Sequence, residues 1–109
     1  IIISTEQSSV VKHRANKLKI QCYQKISNKE KELIKIASKN NIKLSKSIFI
    51  GNDVNDLKAM KLCKYSICPK DSHQSVKKFC DLVLKSKGGE SIMREVIENV
   101  LSINTENYF

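Results

Sequence analysis

Two carboxylates and two amides follow a single glycine in the stretch Gly51-Asn52-Asp53-Val54-Asn55-Asp56. The apolar, β-branched segment Ile48-Phe49-Ile50 precedes it, and the helix-compatible Leu57-Lys58-Ala59-Met60 follows at once. A strand that stops at a glycine-initiated polar loop and opens a helix is how an α/β sheet presents ligands at its carboxyl edge. Asp53 and Asp56 lie three apart, so they can share one cation or divide metal binding and loop fixing between them. Oxygen donors of this kind suit Mg2+, which takes carboxylates together with water and phosphate oxygens. Asn and Asp also cap helices and build turns for local reasons, and the loop taken alone is compatible with that role too.

The elements that must hold this loop alternate along the chain. Residues 1–3 read as a short buried strand ending at Ser4. Ser8 or Ser9 caps a helix with Val10, Val11, Ala15 and Leu18 on its apolar face. Residues 20–23 form a strand. Asn28 then caps a helix with Glu30 and Glu32 in its first turn, where they favour the dipole, and Leu33, Ile34, Ile36 and Ala37 inward. Asn40-Asn41 stops it. Residues 47–50 form the strand leading to the Gly51 loop and a short helix to about Leu62. Residues 65–68 are a strand closed by Pro69, and a helix runs from about His73 to Phe79. Residues 82–84 are a last strand, Gly88-Gly89 a flexible turn, and Glu90 to about Ile103 a final amphipathic helix. Its inward positions are Ile92, Met93, Val96, Ile97, Val100 and Leu101. Strands alternating with helices predict βαβ units and an α/β, Rossmann-like fold, a parallel sheet with helices on both faces. At 109 residues the chain is expected to be a single domain, 1–109.

That topology puts polar residues together. Ser4 ends the first strand, Lys29 opens the helix after the second, and Asn52, Asp53 and Asp56 follow the third. In a parallel sheet all of these fall at the edge where ligands bind. A hydroxyl donates to a phosphoryl oxygen, the lysine offsets its charge, and the acids hold a cation. This is charge stabilisation of phosphoryl transfer. His13 and His73 have no paired acid or nucleophile and read as structural or solvent-facing.

Composition narrows the classes. Aromatics are 6% and tryptophan is absent, so the core must be largely Ile, Leu and Val. No apolar run approaches the roughly 18 residues needed to cross a membrane, and Ile1-Ile2-Ile3 lacks the basic flank and length of a signal peptide. The chain is expected to be soluble and cytoplasmic, with no membrane partner. Cys22, Cys63, Cys68 and Cys80 form no Cys-x-x-Cys pair and have no histidine at metal spacing; they read as small apolar residues in a reducing compartment. The net charge is +9, but 18 of the 20 basic residues are lysines scattered along the predicted helices and loops, without interleaved aromatics for base stacking. Solvated helix faces account for that charge better than a nucleic-acid partner does, and an anionic small substrate would also benefit.

Longer stretches carry a resemblance. Ile2-Ile3-Ser4-Thr5-Glu6-Gln7, then Val10-Val11-Lys12-His13-Arg14-Ala15-Asn16-Lys17-Leu18, Asn28-Lys29 and Ile50-Gly51-Asn52-Asp53-Val54-Asn55-Asp56-Leu57 resemble successive motifs of the haloacid dehalogenase (HAD) superfamily. Ile67-Cys68-Pro69-Lys70-Asp71-Ser72-His73 and Gly88-Gly89-Glu90-Ser91-Ile92-Met93-Arg94-Glu95 extend the likeness, which covers roughly residues 1–101 in unbroken order. It is strongest to the small, capless phosphatases of eight- and nine-carbon sugar-acid phosphates, and to the related module at the C-terminus of some CMP-sialic acid synthetases. The resemblance implies that Ser4, with Thr5 beside it, and Lys29 bind phosphate, and that Asn52, Asp53 and Asp56 form the Mg2+ loop. It implies a phosphorylated sugar acid as substrate and a homotetramer. In that assembly the C-terminal segment reaches a neighbouring subunit's site, giving Arg94 a substrate or interface role; Arg14 is a candidate for the same. The chain departs from the pattern at Asn52, where many members have aspartate. Thr5-Glu6 replaces a glycine and arginine, which favours the sialic-acid-type branch. The superfamily's first motif, an Asp-x-Asp carrying the nucleophile, occurs nowhere in this sequence. The expectation is therefore the C-terminal portion of a longer protein, lacking its first βα segment and holding half an active site. A non-catalytic oligomerisation module attached to a cytidylyltransferase is the alternative.

Overall fold

The computed structural model describes residues 1–101, and the chain divides into two compact units, 1–42 and 43–109. In the first unit, strand β1 (Ile2–Ile3) leads through Ser4 to helix α1 (Ser9–Lys17), and strand β2 (Cys22–Tyr23) leads to helix α2 (Lys29–Lys39). β1 and β2 pair in parallel, Ile2 opposite Cys22 and Ile3 opposite Tyr23. The Ser8 hydroxyl caps α1 by accepting from Val11 N, and the Asn28 side chain caps α2 by accepting from Lys31 N at 2.9 Å. Both satisfy amides that the first turn leaves without a helical partner. The expected stop at Asn40-Asn41 is present. Asn40 donates its Nδ2 to the Ile36 carbonyl at 2.8 Å, and Asn41 takes a left-handed conformation, φ 55°.

The second unit carries a three-stranded parallel sheet in the order β3-β4-β5, formed by Ile48–Ile50, Tyr65–Cys68 and Leu82–Val83. The register sets Ile50 opposite Ile67 and Cys68 opposite Val83. A 3-10 turn (Leu44–Lys46) precedes β3. Beyond β3 come a second 3-10 turn (Val54–Asp56), α3 (Leu57–Met60), α4 (Gln74–Phe79) and α5 (Ile92–Glu95), which runs on into a π-helical turn (Val96–Val100). Alternate residues of β4 face opposite ways and feed two clusters. Cys68 packs with Met60 and Val76, while Ile67 packs with Leu84 and Val96. Burial on both sides is what a parallel strand covered by helices requires.

Several expected apolar faces are corrected. Val10 and Leu18 of the α1 region are exposed, and only Ala15 is buried there. In α2, Ile36 and Ala37 are buried but Ile34 is half exposed. In the last helix Val96 is buried whereas Met93 and Leu101 are exposed. That helix begins at Ile92 rather than Glu90, because Ser91 sits at φ 61°, a left-handed conformation that α-helix cannot accommodate. Ile103 and the side chain of Val100 lie outside the described residues. Among the described residues no helix is long and apolar enough to cross a membrane.

Candidate active site

The Gly51 loop is built around one carboxylate. Asp56 is almost fully buried, and its Oδ2 accepts from the backbone N–H groups of Asn52 at 3.0 Å and Asp53 at 3.2 Å. Asp53 in turn caps the 3-10 turn, its Oδ1 accepting from Val54 N at 2.7 Å; its side chain also accepts from the Asp56 backbone N–H while Asp56 accepts from that of Asp53, a reciprocal capping box. Gly51 is the condition for this arrangement. A Cβ there would stand 2.8 Å from the Asp56 Cβ and 2.9 Å from its Oδ2, closer than any side chain tolerates. Both acids take part in fixing the loop, Asp56 from a buried position and Asp53 from an exposed one. Asp53 and Asn52 are exposed at the loop's surface.

The neighbouring loops at the carboxyl ends of β4 and β5 are laced to this one. His73 N donates to the Asn52 carbonyl at 2.9 Å, and Lys70 N donates to the Ser86 carbonyl at 2.9 Å. Asp71 Oδ1 accepts from Gly88 N at 2.8 Å, while Gly89 turns the chain at φ 85°. The Glu95 carboxylate accepts from Lys85 N at 2.9 Å and Ser86 N at 2.8 Å. These backbone hydrogen bonds hold Glu95 below the usual carboxylate pKa range, since each favours the ionised form. His73 serves as the α4 cap, its Nδ1 accepting from Ser75 N at 3.1 Å. Arg94 is exposed and ion-paired with Glu98 at 3.5 Å, one turn along the helix. With Lys85, Ser86 and Ser91 it borders a surface cavity of about 280 Å³.

In the first unit, Ser4 lies directly after β1. Its N–H donates to the Tyr23 carbonyl and its own carbonyl accepts from Ile26 N, both at 2.9 Å, which lays the loop leading to Lys29 beside it. The Ser4 hydroxyl oxygen accepts from Glu6 N at 3.1 Å, fixing the side chain while leaving its proton to donate. Thr5 is exposed and Lys29, the first residue of α2, is half-buried. Arg14 is in the last turn of α1, at the helix end remote from Ser4, and does not join this group. Apart from Arg14 and Arg94, each unit thus sets its candidate residues beyond the carboxyl ends of its own strands. The roles of His73, Asp71 and Glu95 in lacing the loops left no signal in sequence spacing, because each contact closes a loop and repeats with no period.

Parallel strands alternating with helices, with polar residues following the strands of each unit, are the arrangement in which α/β folds present ligand-binding loops. The chain belongs to the haloacid dehalogenase-like hydrolases, whose family profile matches residues 3–96. Among solved structures it is similar to a Streptomyces avermitilis protein assigned to the HAD-family hydrolases. The identity is 33% and the TM-score 0.84, over 89% of this chain and 56% of that one. It is also similar to the 3-deoxy-D-manno-octulosonate 8-phosphate phosphatase of Moraxella catarrhalis, solved with magnesium, phosphate and the sugar acid. Here the identity is 29% and the TM-score 0.83, over 94% of this chain and 61% of that one. The cobalt-bound phosphatase of Haemophilus influenzae matches at 26% identity and TM-score 0.85, over 92% and 59%. The chain therefore spans 56–61% of the length of these three relatives.

Proposed function

We propose that this chain supplies the phosphate-binding and metal-binding part of a Mg2+-dependent phosphomonoesterase acting on a sugar-acid phosphate, of the octulosonate 8-phosphate or nonulosonate 9-phosphate type. The observation that carries the reading is the Gly51 loop, where a buried carboxylate holds the backbone of Asn52 and Asp53 so that their side chains stand exposed. The donor set fits magnesium as part of a site. Among the described residues no three His, Cys, Asp or Glu groups cluster to hold a metal by themselves. That suits an ion which takes one or two carboxylates and fills its other positions with water and phosphate. Asp53 and the amide oxygen of Asn52 would hold it, and when bound it neutralises charge on the phosphoryl group.

The chain's own groups do the rest. Ser4 donates to a phosphoryl oxygen, with Thr5 beside it, and the Lys29 ammonium offsets the dianion. Lys29 binds as a point charge, which constrains the phosphate's orientation less than a guanidinium would. Covalent attack needs a carboxylate nucleophile, and the sequence contains no Asp-x-Asp, so the nucleophile comes from outside these 109 residues. The neutral Asn52 favours a second reading, a non-catalytic module of an acylneuraminate cytidylyltransferase, since an amide ligand brings no charge to the site.

Phosphate release from 3-deoxy-manno-octulosonate 8-phosphate and a nonulosonate 9-phosphate separates the two. The 109-residue chain should release none. A longer form bearing an Asp-x-Asp segment should turn over, and EDTA should abolish it. Turnover by the chain alone that survives repurification would show that another carboxylate attacks. A longer form inactive on both substrates supports the module.

A further inference from the structure

Two cysteines twelve residues apart in sequence meet in the second unit, with 3.1 Å between the Cys68 and Cys80 sulfurs. Cys68 ends β4 and is fully buried; Cys80 caps the C-terminus of α4 and is half-buried. Cys68 forms a buried cluster with Met60 and Val76, against which Cys80, Phe49 and Leu57 pack. Apolar packing explains why each position takes a small hydrophobic residue, and a thiol–thiol hydrogen bond brings the two sulfurs face to face. Their separation exceeds a disulfide bond of about 2.05 Å by only about 1 Å. It is also too short for a shared metal. Two thiolates on one tetrahedral zinc, each at about 2.3 Å, stand about 3.8 Å apart. No metal-holding group of three His, Cys, Asp or Glu exists among the described residues.

We propose that Cys68 and Cys80 form a redox-active dithiol that closes to an intramolecular disulfide when the protein meets a small-molecule disulfide. The Cys80 thiolate, on the less buried of the two residues, attacks one sulfur of the oxidant, forming a mixed disulfide and releasing one thiolate. Cys68, deprotonated, then attacks the Cys80 sulfur; the protein disulfide forms and the second oxidant thiolate leaves. The two cysteine protons end on the two released thiols, so the protein loses two electrons and the oxidant gains them. Burial, and next the hydrogen bond with Cys68, push the Cys80 thiol up to about 11. The first step is correspondingly slow at neutral pH, because the thiolate is the attacking form. The bridge encloses residues 69–79. Within them His73 holds the Asn52 carbonyl through its N–H, so the bridged segment is the one that supports the Gly51 loop.

The test treats the folded full chain and the guanidinium-denatured chain with oxidised glutathione, followed by alkylation and peptide mapping. The folded chain should lose two of its four alkylatable thiols and yield a dominant Cys68–Cys80 cross-link, leaving Cys22 and Cys63 labelled and reversing with dithiothreitol. The denatured chain should give a mixture of pairings. Cys80→Ser should abolish the cross-link while circular dichroism stays unchanged; if that variant misfolds, the comparison of folded and denatured wild type decides alone. Four thiols still alkylatable in the folded chain, a stable glutathione adduct that never resolves, or a dominant pair involving Cys22 or Cys63 would each overturn the proposal.

Discussion

Asp56 and Asp53 are separated by three positions and by burial, and substitution should expose the difference. Asp56 accepts from two backbone N–H groups while almost fully buried. Removing it leaves both donors unpaired, and hydrogen bonds to a charged group contribute about 1.5–3 kcal/mol each. Asp56→Ala should therefore destabilise by at least about 2 kcal/mol in urea denaturation and weaken Mg2+ binding indirectly, by loosening Asn52 and Asp53. Asp53→Ala removes an exposed cap, at a cost of about 1 kcal/mol. Under the proposed function it should lower Mg2+ affinity by calorimetry without comparable loss of stability. If Mg2+ affinity is unchanged in Asp53→Ala, capping is the whole role of that acid. Gly51→Ala tests the close approach directly. Its Cβ would meet Asp56 Cβ at 2.8 Å, so the variant should lose about 1–3 kcal/mol by the same denaturation assay.

At the level of elements, the sheet edge depends on one side chain that reaches back across a loop. Glu95 of α5 ties down Lys85 N and Ser86 N, and those bonds lower its pKa from the ordinary 4.5. A group whose folded pKa is depressed adds stability that is complete above the unfolded value and fades as pH falls through the folded one. Glu95→Gln should thus melt lower than wild type at pH 7, and the gap should close progressively below about pH 4.5. A gap that is constant from pH 7 to pH 3 would show that packing, not the carboxylate, sets the difference. This clamp also marks where sequence reading stops. The order of strands and helices, the caps at Ser8 and Asn28, the stop at Asn40-Asn41 and the glycine loop after β3 were legible because each is local or periodic. Val10, Ile34, Met93 and Leu101 were placed inward because helical spacing identifies a stripe but not its edges. The contacts of Asp71 with Gly88, Glu95 with Lys85 and Cys68 with Cys80 join residues 17, 10 and 12 apart. Only the folded chain brings those together.

For the whole molecule, each unit sets its candidate residues on short strand ends. The candidate residues that the chain exposes, Asn52, Asp53 and Thr5, stand on the surface of their units, and a sugar acid of eight or nine carbons needs walls that exclude water. We propose that a second copy supplies one, with Arg94 as the arriving group. Its helix is pinned through Glu95, whereas Arg94 itself stands exposed in an ion pair with Glu98. An exposed pair of this kind contributes at most about 1 kcal/mol, so exchanging Glu98 for a substrate carboxylate costs little stability. A guanidinium can bind that carboxylate through two parallel hydrogen bonds. The active, longer protein should therefore be a tetramer by light scattering. Arg94→Ala should raise KM for the sugar-acid phosphate severalfold, with kcat and melting temperature changed far less, because uniform binding is lost and no core contact is. An active monomer would exclude the shared wall. An unaltered KM in Arg94→Ala would leave the tetramer standing and remove only the arginine that crosses it.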